Sequence, residues 1–299
     1  MTNQILISFC NLPIPKKNAL VLLELFEANS FNHIQSQITI NFPPKIKSAT
    51  GITRGSGLIY VLFTREDKTY IAILDEGDFH FLKYQELPEV SDPHSILYLD
   101  SEIFIVSTGT DEVIMYHLTR ENELINSRVF WKASDSKSDT HHVNSIILSN
   151  GDIIISAFGE KKDKGWPSAQ NGYIYNTTKN EIIKQGIYHP HTLTARNGRI
   201  YYCESKRNKF RSVGMSDYLF KFESYTRGVA WLSDTLVCVA NSNRGKNTLF
   251  RRILTKMTNR DFIRGASTLY LLDIMQRKLL NVIDLSMNGP EVYDILAIK

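Results

Sequence analysis

Apolar runs of four to eight residues, rich in Ile, Val, Tyr and Phe, recur along the whole chain and are separated by turn residues. Runs of this length built from β-branched and aromatic side chains fit pleated, half-buried strands. The spacing of three and four that marks an amphipathic helix is nearly absent. The turns Ser149–Asp152 (SNGD) and Arg196–Arg199 (RNGR) carry Asn-Gly, which supplies the positive φ of a tight hairpin. Short strands at even spacing predict a sandwich, a barrel or a propeller.

Aligning the repeats decides among these. Six strands begin SATGI (Ser48–Ile52), DPHSI (Asp92–Ile96), HVNSI (His142–Ile146), HPHTL (His189–Leu193), YTRGV (Tyr225–Val229) and EVYDI (Glu291–Ile295). Each sets a small or short residue (Gly51, Ser95, Ser145, Thr192, Gly228, Asp294) before a branched aliphatic. The intervals between those positions are 44, 50, 47, 36 and 66 residues, centred on the length of a four-stranded propeller blade. The sixth start is the last strand of the chain. Its missing outer strands stand at the other end, in QILISFC (Gln4–Cys10), ALVLLELFE (Ala19–Glu27) and a segment near Phe31–Ile40. The expectation is an all-β, six-bladed β-propeller over residues 1–299 in one domain. Its blades start near 48, 92, 142, 189, 225 and 291, and the C-terminal strand closes the ring on the N-terminal strands. Closure of that kind removes exposed sheet edges.

Composition narrows the class without changing it. The chain has 299 residues, 42% hydrophobic and 22% charged, with a net charge of +4. That suits a globular protein and gives little reason to expect nucleic acid as a partner. The three cysteines, Cys10, Cys203 and Cys238, sit late in apolar strands and lack metal-type spacing, so they read as buried thiols. No apolar run reaches the length of a membrane span, and the N-terminus has no basic leader, which points to a cytoplasmic protein.

The segments HVNSIILSNGDIIISAFGE, GW…NGYIYN, HPHTLTARNGRIYYCES, YTRGVAWLSDTLVCVANS and PEVYDILAI together resemble a family of bacterial conserved-hypothetical six-bladed propellers, a domain of unknown function. The resemblance runs from about Asp92 to Lys299. It implies the fold and marks His142, Asn144, Trp166, His191, Arg227 and Asp294 as motif positions, without implying a reaction.

Chemistry gathers where the inner strands begin. Five of the eight histidines (His94, His141, His142, His189, His191) lie there. An alternating chain also puts the loops between second and third strands on that same face. Around the expected channel mouth stand His94, His142 with Asn144, His189 with His191, Tyr225 with Arg227, and Glu291 with Asp294. Imidazoles move protons near neutrality, so His142, His189 and His191, with Glu291 and Asp294, are the candidate acid–base groups. Arg227 offers a planar fork for a carboxylate or phosphate. Asn144, His94, Tyr225 and Trp166 are the further candidate binding residues.

A divalent metal is compatible with His142, His189, His191 and Glu291, although these ligands come from separate blades. The same residues also read as plugs of a wet axis, Arg227 as a blade-to-blade salt bridge to Asp294, and Asp294 as a small structural residue. The loop between Asn243 and Gly265 carries Arg251 and Arg252 among seven basic residues, with Lys206, Arg207, Lys209, Arg211, Lys16 and Lys17 on the same face. A one-sided positive field of this kind concentrates anions. The expected function is therefore an enzyme of lyase, hydrolase or isomerase type acting by proton transfer on a small anionic, sugar-like or carboxylated substrate. The alternative is a non-catalytic propeller that binds a ligand or a protein partner through its basic face.

Overall fold

The computed structural model describes residues 2–12, 19–26, 33–39, 46–163, 165–242 and 267–298. They form six four-stranded antiparallel sheets. The first takes β1 (Thr2–Cys10), β2 (Leu20–Phe26) and β3 (His33–Thr39). The second is β4 (Ser48–Gly55), β5 (Leu58–Arg65), β6 (Lys68–Asp75) and β7 (Phe81–Glu86). The third is β8 (Pro93–Leu99), β9 (Glu102–Ser107), β10 (Glu112–Leu118) and β11 (Leu124–Lys132). The fourth is β12 (Val143–Ser149), β13 (Asp152–Ala157), β14 (Gly172–Asn176) and β15 (Glu181–Ile187). The fifth is β16 (Pro190–Arg196), β17 (Arg199–Glu204), β18 (Lys209–Ser212) and β19 (Phe220–Lys221). The sixth is β20 (Tyr225–Trp231), β21 (Leu236–Ser242), β22 (Ser267–Asp273) and β23 (Lys278–Asp284). The last strand, β24 (Glu291–Ile298), joins the first sheet and pairs with β1 from Gln4↔Ile298 to Cys10↔Glu291.

The inner strands β24, β4, β8, β12, β16 and β20 pack on one another in a closed ring, which makes a six-bladed propeller sealed by its final strand. Apolar side chains fill the spaces between blades. The aliphatic of each inner-strand motif (Ile52, Ile96, Ile146, Leu193, Val229, Ile295) is buried there. The second strands are buried almost throughout, whereas the fourth strands β7, β11, β15 and β23 face solvent. Burial of both faces explains why the second strands read as unbroken apolar runs, whereas the solvent-facing outer strands mix polar residues among apolar ones.

Every inner strand carries a register shift at its motif. The ladder jumps from Ala49 to Ile52, Pro93 to Ile96, Val143 to Ser145, His191 to Thr194 and Arg227 to Val229, and in the first blade across Tyr293. These are β-bulges, which break strict alternation and re-aim side chains.

The small residue of the motif then serves the ring itself. Ser145 Oγ accepts from Leu193 N at 2.9 Å, Thr192 Oγ1 from Gly228 N at 3.0 Å, and Asp294 Oδ2 from Ile52 N at 3.1 Å. Ser95 Oγ accepts from Ile146 N at 3.3 Å. Each is a clasp onto the next blade. At the two glycine positions there is no clasp. A Cβ on Gly51 would stand 2.8 Å from Ser95 Cα, so the backbones approach directly. Gly228 holds φ +73° against Ile295, whose N–H is bonded by Asp294 Oδ1 instead. A second set of bonds, Ser8→Thr50 O, Thr108→Val143 O and Ser205→Thr226 O, each 2.6 Å, ties second strands to the neighbouring inner strand.

Candidate functional site

The residue before each small one lies at the bulge and reaches the axis: Thr50, His94, His191, Arg227 and Tyr293 all line the upper cavity. The residue two positions earlier forms a wider ring at the mouth. Asp92, His142 and His189 occupy it in three consecutive blades, and all three hold positive φ (48°, 55°, 52°). A left-handed backbone is uncommon for residues with a Cβ and persists where surroundings enforce it. At His142 the enforcing group is visible. Buried Asp111 accepts from Thr140 N (2.6 Å), Thr140 Oγ1 (2.8 Å), His141 N (2.7 Å) and Val143 N (3.3 Å), winding the chain around one carboxylate. Burial alone would raise the pKa of Asp111, but these donors hold it down to about 2.

On the axis, His191 Nδ1 lies 2.9 Å from Ser205 Oγ, and Ser205 spends its own proton on Thr226 O. Ser205 can then only accept from His191, so Nδ1 carries the imidazole proton and Nε2 holds the lone pair. Arg227 Nη2 donates to that nitrogen at 3.2 Å. Burial, and after it the Arg227 charge, push the His191 pKa well below its usual value. His94 is bonded through Nδ1 to Asp92 O at 3.0 Å, and burial drives it down to about 3. Both imidazoles are neutral at neutral pH.

Arg227 is 5% exposed, and its guanidinium stands 3.9 Å above the Tyr293 ring. Among the described residues no carboxylate pairs with it, and the Tyr293 hydroxyl is buried without a hydrogen-bond partner. The salt bridge to Asp294 weighed on sequence does not form. Asp294 is committed to Ile52 N and Ile295 N and lines the far side of the axis, where burial raises its pKa to about 6.

At the rim, Asp139 meets His142 Nδ1 at 3.1 Å, takes a hydrogen bond from Trp166 and is pushed up to about 7, first by burial and then by the Asp111 charge. Lys161 bonds Asp139 O at 3.1 Å and lies over the Trp166 ring at 4.4 Å. Phe158 stacks on His189 (centroids 4.1 Å apart, 9° between planes) and contacts His142 and His191. His189 Nε2 is 2.9 Å from Trp166 O, which holds that loop to the mouth.

One cavity of about 1000 Å³ is thus lined by His94, His142, Trp166, His189, His191, Tyr225 and Arg227. Tyr225 Oη lies 3.3 Å from His191 Nδ1. Asn144 does not join them: its amide bonds His142 O and Ser156, and it lines a lower cavity. Glu291 sits beside the mouth near Cys10, its Oε2 3.9 Å from Cys10 Sγ. Among the described residues no group of three His, Cys, Asp or Glu side chains is arranged to hold a metal ion, so the set His142, His189, His191 and Glu291 is not gathered as a ligand shell.

The described basic residues of this face are largely engaged. Arg207 and Arg211 pair with Glu204, Lys206 bonds Pro167 O, Lys47 pairs with Asp67 and Lys68 with Glu86. Arg251, Arg252, Lys16 and Lys17 lie outside the described residues. Sequence reading passed over Asp139, Phe158 and Tyr293. Only Tyr293 carried a signal, its position before the small residue in EVYDI.

The fold and the site define a six-bladed β-propeller with a histidine- and arginine-lined cavity on its axis. By sequence, residues 92–299 match the model of DUF4915, a domain of unknown function, and the chain belongs to that family. No curated protein matches it. Among solved structures, one from a nidogen/laminin complex superposes with TM-score 0.67 at 11% identity, covering 100% of this chain and 99% of that one. A protein of Bacteroides fragilis provisionally named a 6-phosphogluconolactonase gives 0.58 at 9% identity over 100% and 98%. The periplasmic gluconolactonase of Pseudomonas aeruginosa gives 0.55 at 10% over 97% and 85%. At these identities the likeness concerns the fold. Among the described residues no helix is long and apolar enough to cross a membrane.

Proposed function

We propose that the mouth binds a small anionic, sugar-like or carboxylated molecule and performs proton transfer on it, with hydrolysis of a cyclic sugar ester to its carboxylate, the anion that Arg227 holds, as the leading reaction. The observation that carries this reading is the buried Arg227 guanidinium, which has no carboxylate of the protein within pairing distance among the described residues. A charge kept in that state is stabilised when an anion arrives, and burial sharpens the fit. Neutral His94, whose Nδ1 is bonded to Asp92 O, supplies a hydroxyl-binding acceptor at Nε2 without adding charge. His142, oriented by Asp139 on Nδ1, takes a proton from water through Nε2 as the water oxygen bonds the ester carbonyl carbon. As the ring C–O bond breaks, His142 returns that proton to the leaving alkoxide. The likeness to sugar-lactone hydrolases supports the substrate class by analogy of fold.

The test is δ-gluconolactone hydrolysis in a pH-stat, with gluconate binding followed by thermal shift. We expect a rate above background that falls about a hundredfold or more in His142→Asn, as for loss of a general base. The gluconate response should be lost in Arg227→Gln. Absence of both turnover and a gluconate shift in wild type overturns the reading.

A further inference from the structure

The axis holds two cavities, and one layer of side chains divides them. The lower cavity, of about 320 Å³, lies on the far side of the bulges and is lined by Leu97, Ile147, Leu148 and Leu296 with Thr53 and Thr194. Leu148 is 38% exposed, so this chamber reaches solvent on the face opposite the mouth. His94, His191, Arg227 and Tyr293 line both cavities. They form a septum with aromatic and polar walls above it and mixed walls below, where Asn144, Ser145 and Asp294 stand near the septum, the Asp294 oxygens taken by Ile52 N and Ile295 N, and Leu97, Ile147, Leu148 and Leu296 line the rest.

A chamber whose aliphatic part ends on a few convergent polar groups has the composition of a small-molecule site. The polar groups also specify the ligand. Arg227 and the Tyr293 hydroxyl are each more than nine-tenths buried; the first lacks a carboxylate among the described residues and the second lacks any hydrogen-bond partner. A neutral hydrocarbon would leave the buried guanidinium without a counter-charge. A doubly charged anion would find a single cation, because the two histidines are neutral.

We infer that the lower chamber is a second binding site, for a short aliphatic monocarboxylate whose head sits on Arg227 and whose chain lies along Leu97, Ile147 and Leu296. One guanidinium serves both chambers, and two carboxylates on it would repel across a few ångströms of low dielectric. The lower ligand therefore competes with an anion in the mouth. This inference rests on the anion-binding role of Arg227 given above.

Isothermal titration with hexanoate, hexanol and gluconate tests it. Wild type binds hexanoate but not hexanol, and hexanoate raises the apparent Kd for gluconate. In Ile147→Trp, and separately Leu296→Trp, hexanoate affinity falls about tenfold or more while gluconate affinity holds, as expected when a side chain occupies the chamber. Arg227→Gln loses both ligands. Should the tryptophan variants melt like unfolded chains, a series from butyrate to octanoate on wild type replaces them: affinity climbs with chain length and stops when the chamber is full. Gluconate binding without hexanoate binding, hexanol binding as tightly as hexanoate, or no chain-length dependence overturns the lower site. Chain-length-dependent hexanoate binding without gluconate binding overturns the mouth reading and leaves this one standing.

Discussion

Two rings of side chains lie one residue apart on the same six strands, and they do different work. The ring at the small positions faces the neighbouring blades: Ser95, Ser145, Thr192 and Asp294 all accept a backbone N–H of the next inner strand. The ring one residue earlier holds His94, Asn144, His191, Arg227 and Tyr293, at the bulges between the two axial cavities. In the clasp ring the polar atoms are satisfied by the protein. In the septum a tyrosine hydroxyl has no hydrogen-bond partner and, among the described residues, an arginine has no carboxylate to pair with. A regular strand would have sent adjacent residues to opposite faces. The bulge lets one serve the joint between blades and the other the axis. The comparison teaches that satisfaction by the protein, and not burial, separates structure from site here.

The largest effect should come from the clasp ring. Asp294→Ala strips the acceptor from Ile52 N and Ile295 N, and buried donors left unpaired cost about 1–3 kcal/mol each. The expected loss is about 2–4 kcal/mol in urea unfolding. Its neighbour provides the contrast: Tyr293→Phe removes a hydroxyl with no partner and should leave the midpoint unmoved or slightly higher. Equal losses in both variants would dissolve the distinction.

A smaller effect follows from His94, whose pKa falls from 6.5 to about 3 on burial. Unfolded, the imidazole takes a proton below pH 6.5; folded, it resists until about pH 3. Its contribution is therefore complete above pH 6.5 and is lost as the pH falls from there toward 3, on the order of a few kcal/mol in all. His191 is shifted in the same direction. Melting temperatures of wild type and His94→Asn between pH 7.5 and 4 check this: the variant should have the shallower acid limb. Parallel curves would show that the septum does not govern acid stability.

Much of this arrangement is legible in the sequence because each inner strand repeats one local rule, a short residue before a branched aliphatic, at blade spacing. That rule locates the axis, the closing strand and the histidines beside the mouth. It does not say which of two adjacent residues faces the axis. Alternation fails at a bulge, and nothing in HVNSI or EVYDI shows where the ladder skips. Asn144 and Asp294 therefore read as mouth residues, although the structure sets both on the lower cavity with protein partners. Asp139 escaped notice for another reason. It lies in a loop without strand periodicity, and only the folding of Thr140–Val143 around Asp111 brings it to His142.

The smallest expected change in stability is the most informative. Arg227→Met keeps the length of the side chain and removes the charge. It forfeits a cation–π contact with Tyr293, worth about 0.5–2 kcal/mol, and a hydrogen bond to neutral His191, worth about 1 kcal/mol. Against this it relieves the desolvation of a guanidinium that, among the described residues, pairs with no carboxylate, several kcal/mol by the usual reckoning for buried ions. The terms nearly cancel, so the variant should unfold within about 1 kcal/mol of wild type and on either side of it. Its response to gluconate should vanish at the same time. The measurement is urea unfolding with and without gluconate. If Arg227→Met loses as much stability as Asp294→Ala, the guanidinium is a brace, and both rings serve the fold. If it keeps its stability and loses the ligand response, an anion is the missing partner of that charge.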